Sequence, residues 1–305
     1  MKYKKTIIYF SYLCLFINAS FCLAMDKPIV FVSIVPQKFF VQQISKGIVD
    51  VEVMVQPGAS PATYEPKPSQ MAKLSSAAAY FAIGVPFERA WLGKISAVSP
   101  DMKIVHTERG IEKIAMALHN HEEEMEEEGH HTEDVHGNEH SEHTILDPHI
   151  WLSPNLVKRQ VAVILEGLTS IAPEHSADFE MNYRLFLEKI DALDLELRST
   201  LQGSKGLRFM VFHPSWGYFA KEYGLEQVPI EIEGKSPKPS QLGRLIHHAR
   251  ENGITVIFAQ PQFSQKSAKV VAREIGGKVI FVDPLAEDWL ANLRAVGEKF
   301  KLAVK

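Results

Sequence analysis

The stretch from Ser176 to Leu201 constrains the fold of this chain more than any other feature, because it contains neither proline nor glycine. Its apolar residues recur at helical spacing: Phe179, Tyr183, Phe186, Leu187, Ile190, Leu193 and Leu197. The pattern predicts one α-helix, which at 1.5 Å per residue is roughly 40 Å long. Such a length is unusual in a globular protein, and we expect a rigid strut between two lobes.

Strands alternate with helices on both sides of this predicted helix. Before it, strands are predicted at 28–34, 51–55, 79–83 and 103–106, and helices at 39–45, 70–76, 87–96 and 155–170. After it, strands are predicted at 208–212, 227–230, 255–259 and 278–282, and helices at 218–223, 242–251, 266–275 and 289–301. This alternation predicts an α/β fold in two lobes, each a parallel sheet flanked by helices. We expect the lobes at 25–175 and 204–305, with a linking helix at 176–203.

Residues 1–24 are typical of a cleavable signal peptide. A basic start is followed by an apolar stretch, Ile7 to Phe16, that is too short to span a bilayer comfortably. Cys22-Leu23-Ala24 offers a cleavage site, so the mature chain is expected to begin near Met25; an uncleaved anchor helix is the alternative. Both cysteines, Cys14 and Cys22, lie in this segment, so the mature chain would contain no disulfide.

A tract at 119–143 combines histidines with many acidic residues and almost no apolar ones. Its histidines are His119, His121, His130, His131, His136, His140 and His143. This composition is typical of metal binding and cannot build a core, so we expect a disordered surface loop that binds metal as an accessory. The alternative is a solvated acidic linker whose histidines are incidental.

Three further residues are candidates for an ordered metal site. His213 and Asp283 each follow a predicted strand directly, where open parallel sheets bind their ligands. His149 ends the first predicted lobe, within Asp147-Pro148-His149-Ile150-Trp151-Leu152. Two imidazoles and a carboxylate suit Zn²⁺ or Mn²⁺. Taken singly, His213 before Pro214 is also typical of a turn, and Asp283 before Pro284 of a helix cap.

Together these motifs resemble the periplasmic zinc- and manganese-binding receptors of ABC importers. The resemblance spans the mature chain and rests on six motifs: Pro57 to Pro61, Tyr64 to Pro66, Asp147 to Trp151, His213 to Phe219, Pro261 to Phe263, and Asp283 to Leu285. It implies a metal site in the cleft between the lobes with His149, His213 and Asp283 as ligands. The acidic His-rich tract is similar to the insert of zinc-specific members, so zinc is the expected cargo and manganese the alternative.

The chain departs from the family at one ligand position. The receptors usually have a histidine directly after the proline that ends the Pro57–Pro61 loop, and this chain has Ala62. An alanine side chain cannot bind a metal. Water, Glu65 or a histidine of the tract is therefore the candidate for the fourth ligand.

The expected function is high-affinity capture of zinc in the periplasm and its delivery to an ABC importer permease. We expect a monomer that is not an enzyme, and no nucleic-acid partner because the chain lacks a basic stripe. One alternative is a periplasmic zinc buffer without a transporter. The other is a zinc hydrolase with Glu65 as general base, although the chain has no His-Glu-x-x-His motif.

Overall fold

The computed structural model describes residues 27–117, 145–231 and 235–303. The predicted signal peptide at 1–24 and the His-rich tract at 119–143 lie outside the described residues. Within the described ranges, no helix combines the length and the apolar character needed to cross a membrane.

The first half of the chain forms a four-stranded parallel sheet. Its strands are β1 (Ile29–Val32), β2 (Asp50–Val53), β3 (Ala77–Ala82) and β4 (Lys103–His106), in the order β2-β1-β3-β4. The helices between them are α1 (Val35–Ser45), α2 (Pro68–Leu74) and α3 (Pro86–Val98). The inner strand β3 reads Ala-Ala-Ala-Tyr-Phe-Ala and is almost wholly buried, as expected for a parallel strand covered on both faces.

The second half repeats this topology. Its strands are β5 (Arg208–Val211), β6 (Glu226–Pro229), β7 (Val256–Ala259) and β8 (Lys278–Phe281), all parallel and in the order β6-β5-β7-β8. The helices are α6 (Gly217–Tyr223), α7 (Pro239–Glu251), α8 (Lys266–Glu274) and α9 (Trp289–Ala303). Two parallel sheets flanked by helices confirm the predicted fold class.

Two helices lie between the strands of the two sheets in the chain: α4 (Pro154–Ile171) and α5 (Ser176–Leu201), and α5 has the bounds predicted from its apolar pattern. Helix α5 packs against α1 and α4 of the first half and against α9 of the second. It meets α9 at close range, because a Cβ atom added to Gly297 would come within 2.6 Å of Leu197 Cδ2. One apolar core therefore runs through α5 and includes residues of both sheets, such as Phe81 and Phe209.

Several helices begin earlier than the sequence patterns predict, because a proline lies in their first turn. Pro36, Pro68, Pro86, Pro154 and Pro239 each occupy the first turn of a helix. The predicted helices start one to four residues later, in each case after the proline. A proline in the first turn costs no hydrogen bond, because the N–H groups there lack a partner within the helix, and its fixed φ suits the helix.

Candidate metal centre

A cavity of about 270 Å³ lies between the two halves of the molecule. It is lined by loops that follow the strands of both sheets, including Ser60–Ala62 after β2, Gly84–Pro86 after β3, His213 after β5, Gln262 and Phe263 after β7, and Pro284 and Leu285 after β8. His149, which precedes α4 by a short 3-10 helix, also lines it. The carboxyl ends of the strands of both sheets thus face one cavity. Open α/β sheets bind their ligands at this edge.

The structure brings His149 and His213 together across this cavity. Their Nε2 atoms are 3.2 Å apart, and the ring centroids are 5.0 Å apart. Two nitrogen ligands of a tetrahedral zinc ion, each about 2.0–2.1 Å from the metal, are separated by about 3.3 Å. The spacing of the two Nε2 atoms is therefore that of a pair of zinc ligands.

A buried carboxylate orients the imidazole of His149. Asp147 Oδ1 accepts hydrogen bonds from the His149 backbone N–H at 2.9 Å and from the ring Nδ1 at 2.7 Å. Tyr218 of the second half donates to the backbone oxygen of Asp147 at 2.9 Å and anchors the loop. With the proton on Nδ1, the lone pair of His149 Nε2 points at the cavity.

Glu231 gives His213 the same support. Its Oε1 lies 2.7 Å from His213 Nδ1, and the side chain is only 6% exposed. Carboxylates in this position fix the tautomer and orientation of metal-binding histidines. If both Nδ1 atoms carry the proton, two Nε2 lone pairs face each other, and a cation between them relieves the repulsion.

Glu231 is not among the residues predicted for the site, although the sequence contains a signal for it. Strand β6 pairs with β5, so a residue just beyond the end of β6 lies next to one just beyond β5. Glu231 follows β6 by two residues, as His213 follows β5 by two. Glu231, a carboxylate just beyond the end of the neighbouring strand, could therefore have been predicted as a partner of His213.

Two further contacts hold the His213 ring in place. Gln260 bonds the backbone of His213 at both ends: its Oε1 accepts from the N–H at 3.1 Å and its Nε2 donates to the carbonyl oxygen at 2.6 Å. Phe263 stacks on the imidazole with ring centroids 4.9 Å apart. The ring is therefore oriented before any metal binds.

Burial lowers the pKa of the His149 imidazole, an effect that outweighs the opposing influence of Asp147. A lowered pKa keeps the ring neutral at neutral pH, and only a neutral imidazole can bind a metal. The environment of His149 therefore favours the protonation state that a ligand needs.

Asp283 is held differently from the two histidines. Its Oδ1 accepts hydrogen bonds from Gln262 Nε2 at 2.7 Å and from the backbone N–H of Leu285 at 2.9 Å. Its neighbours Pro284 and Leu285 line the cavity with Gln262. Across the residues that the structure describes, no three His, Cys, Asp or Glu side chains are grouped as a metal cluster. The structure thus pairs the two histidines and leaves the Asp283 carboxylate bonded to Gln262.

Ala62 lines the cavity with Ser60 and Pro61, so the position that lacks the usual histidine faces the candidate site. Glu65 is exposed and is not part of the cavity wall. This placement does not support Glu65 either as the fourth ligand or as a general base.

Trp151 connects the two loops that carry candidate ligands. Its indole N–H donates to the backbone oxygen of Pro284 at 2.7 Å, and the Trp289 indole donates to the backbone oxygen of Trp151 at 2.7 Å. Both indoles are fully buried. These bonds tie the loop of His149 to the loop of Asp283 across the two halves.

Replacing Glu231 with glutamine is expected to weaken zinc binding about tenfold if His213 is a ligand, because the variant would lack the negative charge that favours a metal ion on the imidazole. Glu226→Gln, an exposed residue at the start of β6, is the matched control and is expected to change nothing. Competition with a chromophoric chelator measures both affinities. Equal affinities for the two variants would contradict a supporting role for Glu231.

Two joined parallel sheets with a pair of carboxylate-supported histidines between them define a two-lobed α/β metal-binding protein. The chain belongs to the family ZnuA, described as zinc-uptake complex component A, periplasmic, whose model matches residues 30–303.

Two relatives, named for zinc uptake and zinc binding, align with most of this chain. It is 30% identical over 268 residues to the high-affinity zinc uptake system protein ZnuA of Bacillus subtilis. The aligned residues make up 85% of this chain and 79% of that protein. It is 29% identical over 262 residues to the zinc-binding protein AdcA of Streptococcus pyogenes, covering 83% of this chain but 50% of AdcA. The chain therefore corresponds to only about half the length of AdcA.

Solved structures have the same fold. A crystal structure of ZnuA superposes with a TM-score of 0.81 and 41% identity, covering 92% of this chain and all of that one. A manganese-bound periplasmic metal-binding protein from Candidatus Liberibacter asiaticus superposes with a TM-score of 0.75 over 92% of this chain and all of that one. At 20% identity, the second match shows the fold alone.

Proposed function

We propose that this protein captures zinc outside the inner membrane and delivers it to the membrane permease of an ABC importer. The family description and the names of the Bacillus and Streptococcus relatives support zinc as the cargo. Manganese is the alternative cargo, because two imidazoles and a carboxylate suit either ion.

One observation supports the proposal above all others: the Nε2 atoms of His149 and His213 face each other at 3.2 Å, each ring backed by a carboxylate. This arrangement is suited to holding a dication between two neutral imidazoles. The rings project from different halves of the molecule, so the bound ion would connect both halves.

Asp283 is the proposed third ligand. Within the described residues, only its Oδ1 is engaged in hydrogen bonds, to Gln262 and Leu285. Binding through Oδ2 would leave both bonds of Oδ1 in place. Because Asp283 is not grouped with the two histidines among the described residues, its loop would have to move toward them. We propose that this small movement, rather than a wide hinge, accompanies capture and release, since the core that runs through α5 opposes separation of the lobes.

The remaining parts of the chain fit this role as proposals. Residues 1–24 would direct export and then be removed, so that the receptor functions in the periplasm as a monomer. The histidines of the 119–143 tract would bind additional zinc weakly and exchange it rapidly, which would raise the local zinc concentration near the cleft.

A zinc hydrolase is the alternative from another class, and the described cavity wall argues against it. A hydrolase needs a general base beside the metal-bound water. Among the described residues that line the cavity, none is Asp or Glu. A zinc buffer without a transporter would use the same site and differs only in having no permease partner.

Metal analysis after exhaustive dialysis tests the proposal directly. We expect zinc to remain bound at a single tight site, and we expect a zinc-loaded sample to associate with the cognate permease in vesicles and to supply zinc transport. Loss of all zinc on dialysis would overturn capture, and retained zinc without any permease-dependent transport would support the buffer instead.

Deletion of residues 119–143 should lower the number of zinc ions bound but leave the tightest site intact. The tract lacks the apolar residues needed to hold a fixed geometry, so its sites should be weak. Calorimetric titration of both proteins counts the ions and separates the affinities. If the deletion also removes the tight site, a tract histidine is the missing fourth ligand.

A further inference from the structure

The cavity is larger than a single metal ion requires. Its volume of about 270 Å³ compares with about 30 Å³ for one water molecule in the liquid. It therefore has room for a small organic molecule beside an ion held by His149 and His213. Pockets for organic ligands are mostly apolar, with a few well-placed polar groups.

The wall of this cavity has that composition. The apolar side chains are Met116, Ile145, Leu146, Trp151, Phe263 and Leu285. Among the described residues that line the cavity, Arg89 carries a full charge at neutral pH. A ligand with an apolar part and one negative group would match these surroundings.

Arg89 is available to bind such a group. Over residues 27–117, 145–231 and 235–303, it forms no hydrogen bond or ion pair. The neighbouring Glu88 turns inward instead, where its carboxylate accepts hydrogen bonds from Ser33 and from the backbone N–H groups of Ile83 and Gly84. A guanidinium group binds a carboxylate through two parallel hydrogen bonds.

The metal position itself has room for a donor atom from a ligand. Ala62 lines the cavity and contributes no donor. The guanidinium of Arg89 lies on the wall of the same cavity, where no described lining residue is a carboxylate. A ligand that supplies one nitrogen donor and one carboxylate would fill the open position and neutralise Arg89.

We propose that the cleft binds zinc together with a small amino-carboxylate chelator, whose nitrogen completes the coordination and whose carboxylate binds Arg89. This inference rests on the proposed zinc-binding function of His149 and His213. It identifies the captured species as a zinc chelate rather than a bare ion.

The test uses L-histidine as the probe, with the full-length protein loaded with zinc. Equilibrium dialysis with radiolabelled L-histidine is expected to show one molecule retained for each tightly bound zinc ion and none without zinc. L-Histidinamide keeps the nitrogen donors but lacks the carboxylate, so it should not displace the label.

Substitutions locate the ligand. Arg89→Ala should weaken histidine retention about fivefold to tenfold, as expected for loss of a charge-assisted pair at an exposed guanidinium. Arg159→Ala, an exposed arginine of α4 outside the cavity, is the matched control and should retain histidine normally. His213→Ala keeps the tract but removes one of the two paired imidazoles, so its cleft should retain no histidine.

The outcomes separate this inference from the proposed function. Tight zinc without retained histidine would overturn the inference and leave zinc capture standing. Loss of tight zinc binding together with histidine retention would overturn both the inference and the proposed function. Equal retention by Arg89→Ala, or retention by His213→Ala, would place the histidine elsewhere, on the tract or at the surface, and would overturn the assignment to the cleft.

Discussion

Zinc binding by His213→Ala is expected to be weaker by on the order of 10²- to 10⁴-fold. The estimate follows from the advantage of a second tethered ligand over binding through one. His213 Nε2 lies 3.2 Å from His149 Nε2, and its removal leaves one imidazole in the pair.

The fold should survive this substitution. The His213 side chain lies outside the apolar core, and Gln260 bonds to its backbone rather than its ring. The main cost is that buried Glu231 loses its partner, at about 1–3 kcal/mol for an unsatisfied polar group. His213→Asn is the second variant, because its amide nitrogen takes the place of Nδ1 and can still donate to Glu231.

Chelator competition gives the affinity, and circular dichroism with thermal unfolding reports the fold. His247→Ala is the matched control, since His247 is exposed on α7, pairs with Glu251 and does not line the cavity. Unchanged tight binding in both His213 variants would refute the assignment of this residue as a ligand.

Ala62→His is expected to tighten zinc binding by about tenfold to a hundredfold, or about 1–3 kcal/mol. Ala62 lines the cavity that holds His149 and His213, so a histidine there can reach the same space. A tethered imidazole replaces a free ligand or water and gains the advantage of high effective concentration.

Local rigidity favours this gain, and the lack of a supporting partner limits it. The segment from Gln56 to Pro66 contains Pro57, Pro61 and Pro66, which reduce the conformational freedom that a new ligand must lose. No carboxylate lines the described cavity wall to orient the new ring, and poor orientation commonly costs about tenfold. The lower end of the range is therefore the expected result.

The measurement compares zinc affinity in proteins that lack residues 119–143, so that the tract does not obscure the tight site. Thr63→His is the matched control, because Thr63 is also exposed but does not line the cavity. Equal affinities for the two histidine variants would show that position 62 does not face the bound ion. Under the chelate proposal, Ala62→His should also reduce histidine retention, since both donors occupy one place.

Much of the fold was predictable because local patterns determine it. The helix at Ser176–Leu201 and the strand at Lys103–His106 have the predicted bounds, since periodicity and residue type act over short distances. Helix starts were less accurate where proline occupies the first turn, as at Pro36, because a proline ends one helix pattern and also opens another.

By itself, the sequence determined the α/β class, the two repeats of strand and helix, and the placement of His149 and His213 at the ends of elements. Only the tertiary structure decided which of these residues meet. The 3.2 Å approach of the two Nε2 atoms, the support of His213 by Glu231 and the bond between Asp283 and Gln262 each join separate segments of the chain. Such contacts depend on how the two sheets pack around α5, and no local pattern specifies that packing at the precision a metal ion requires.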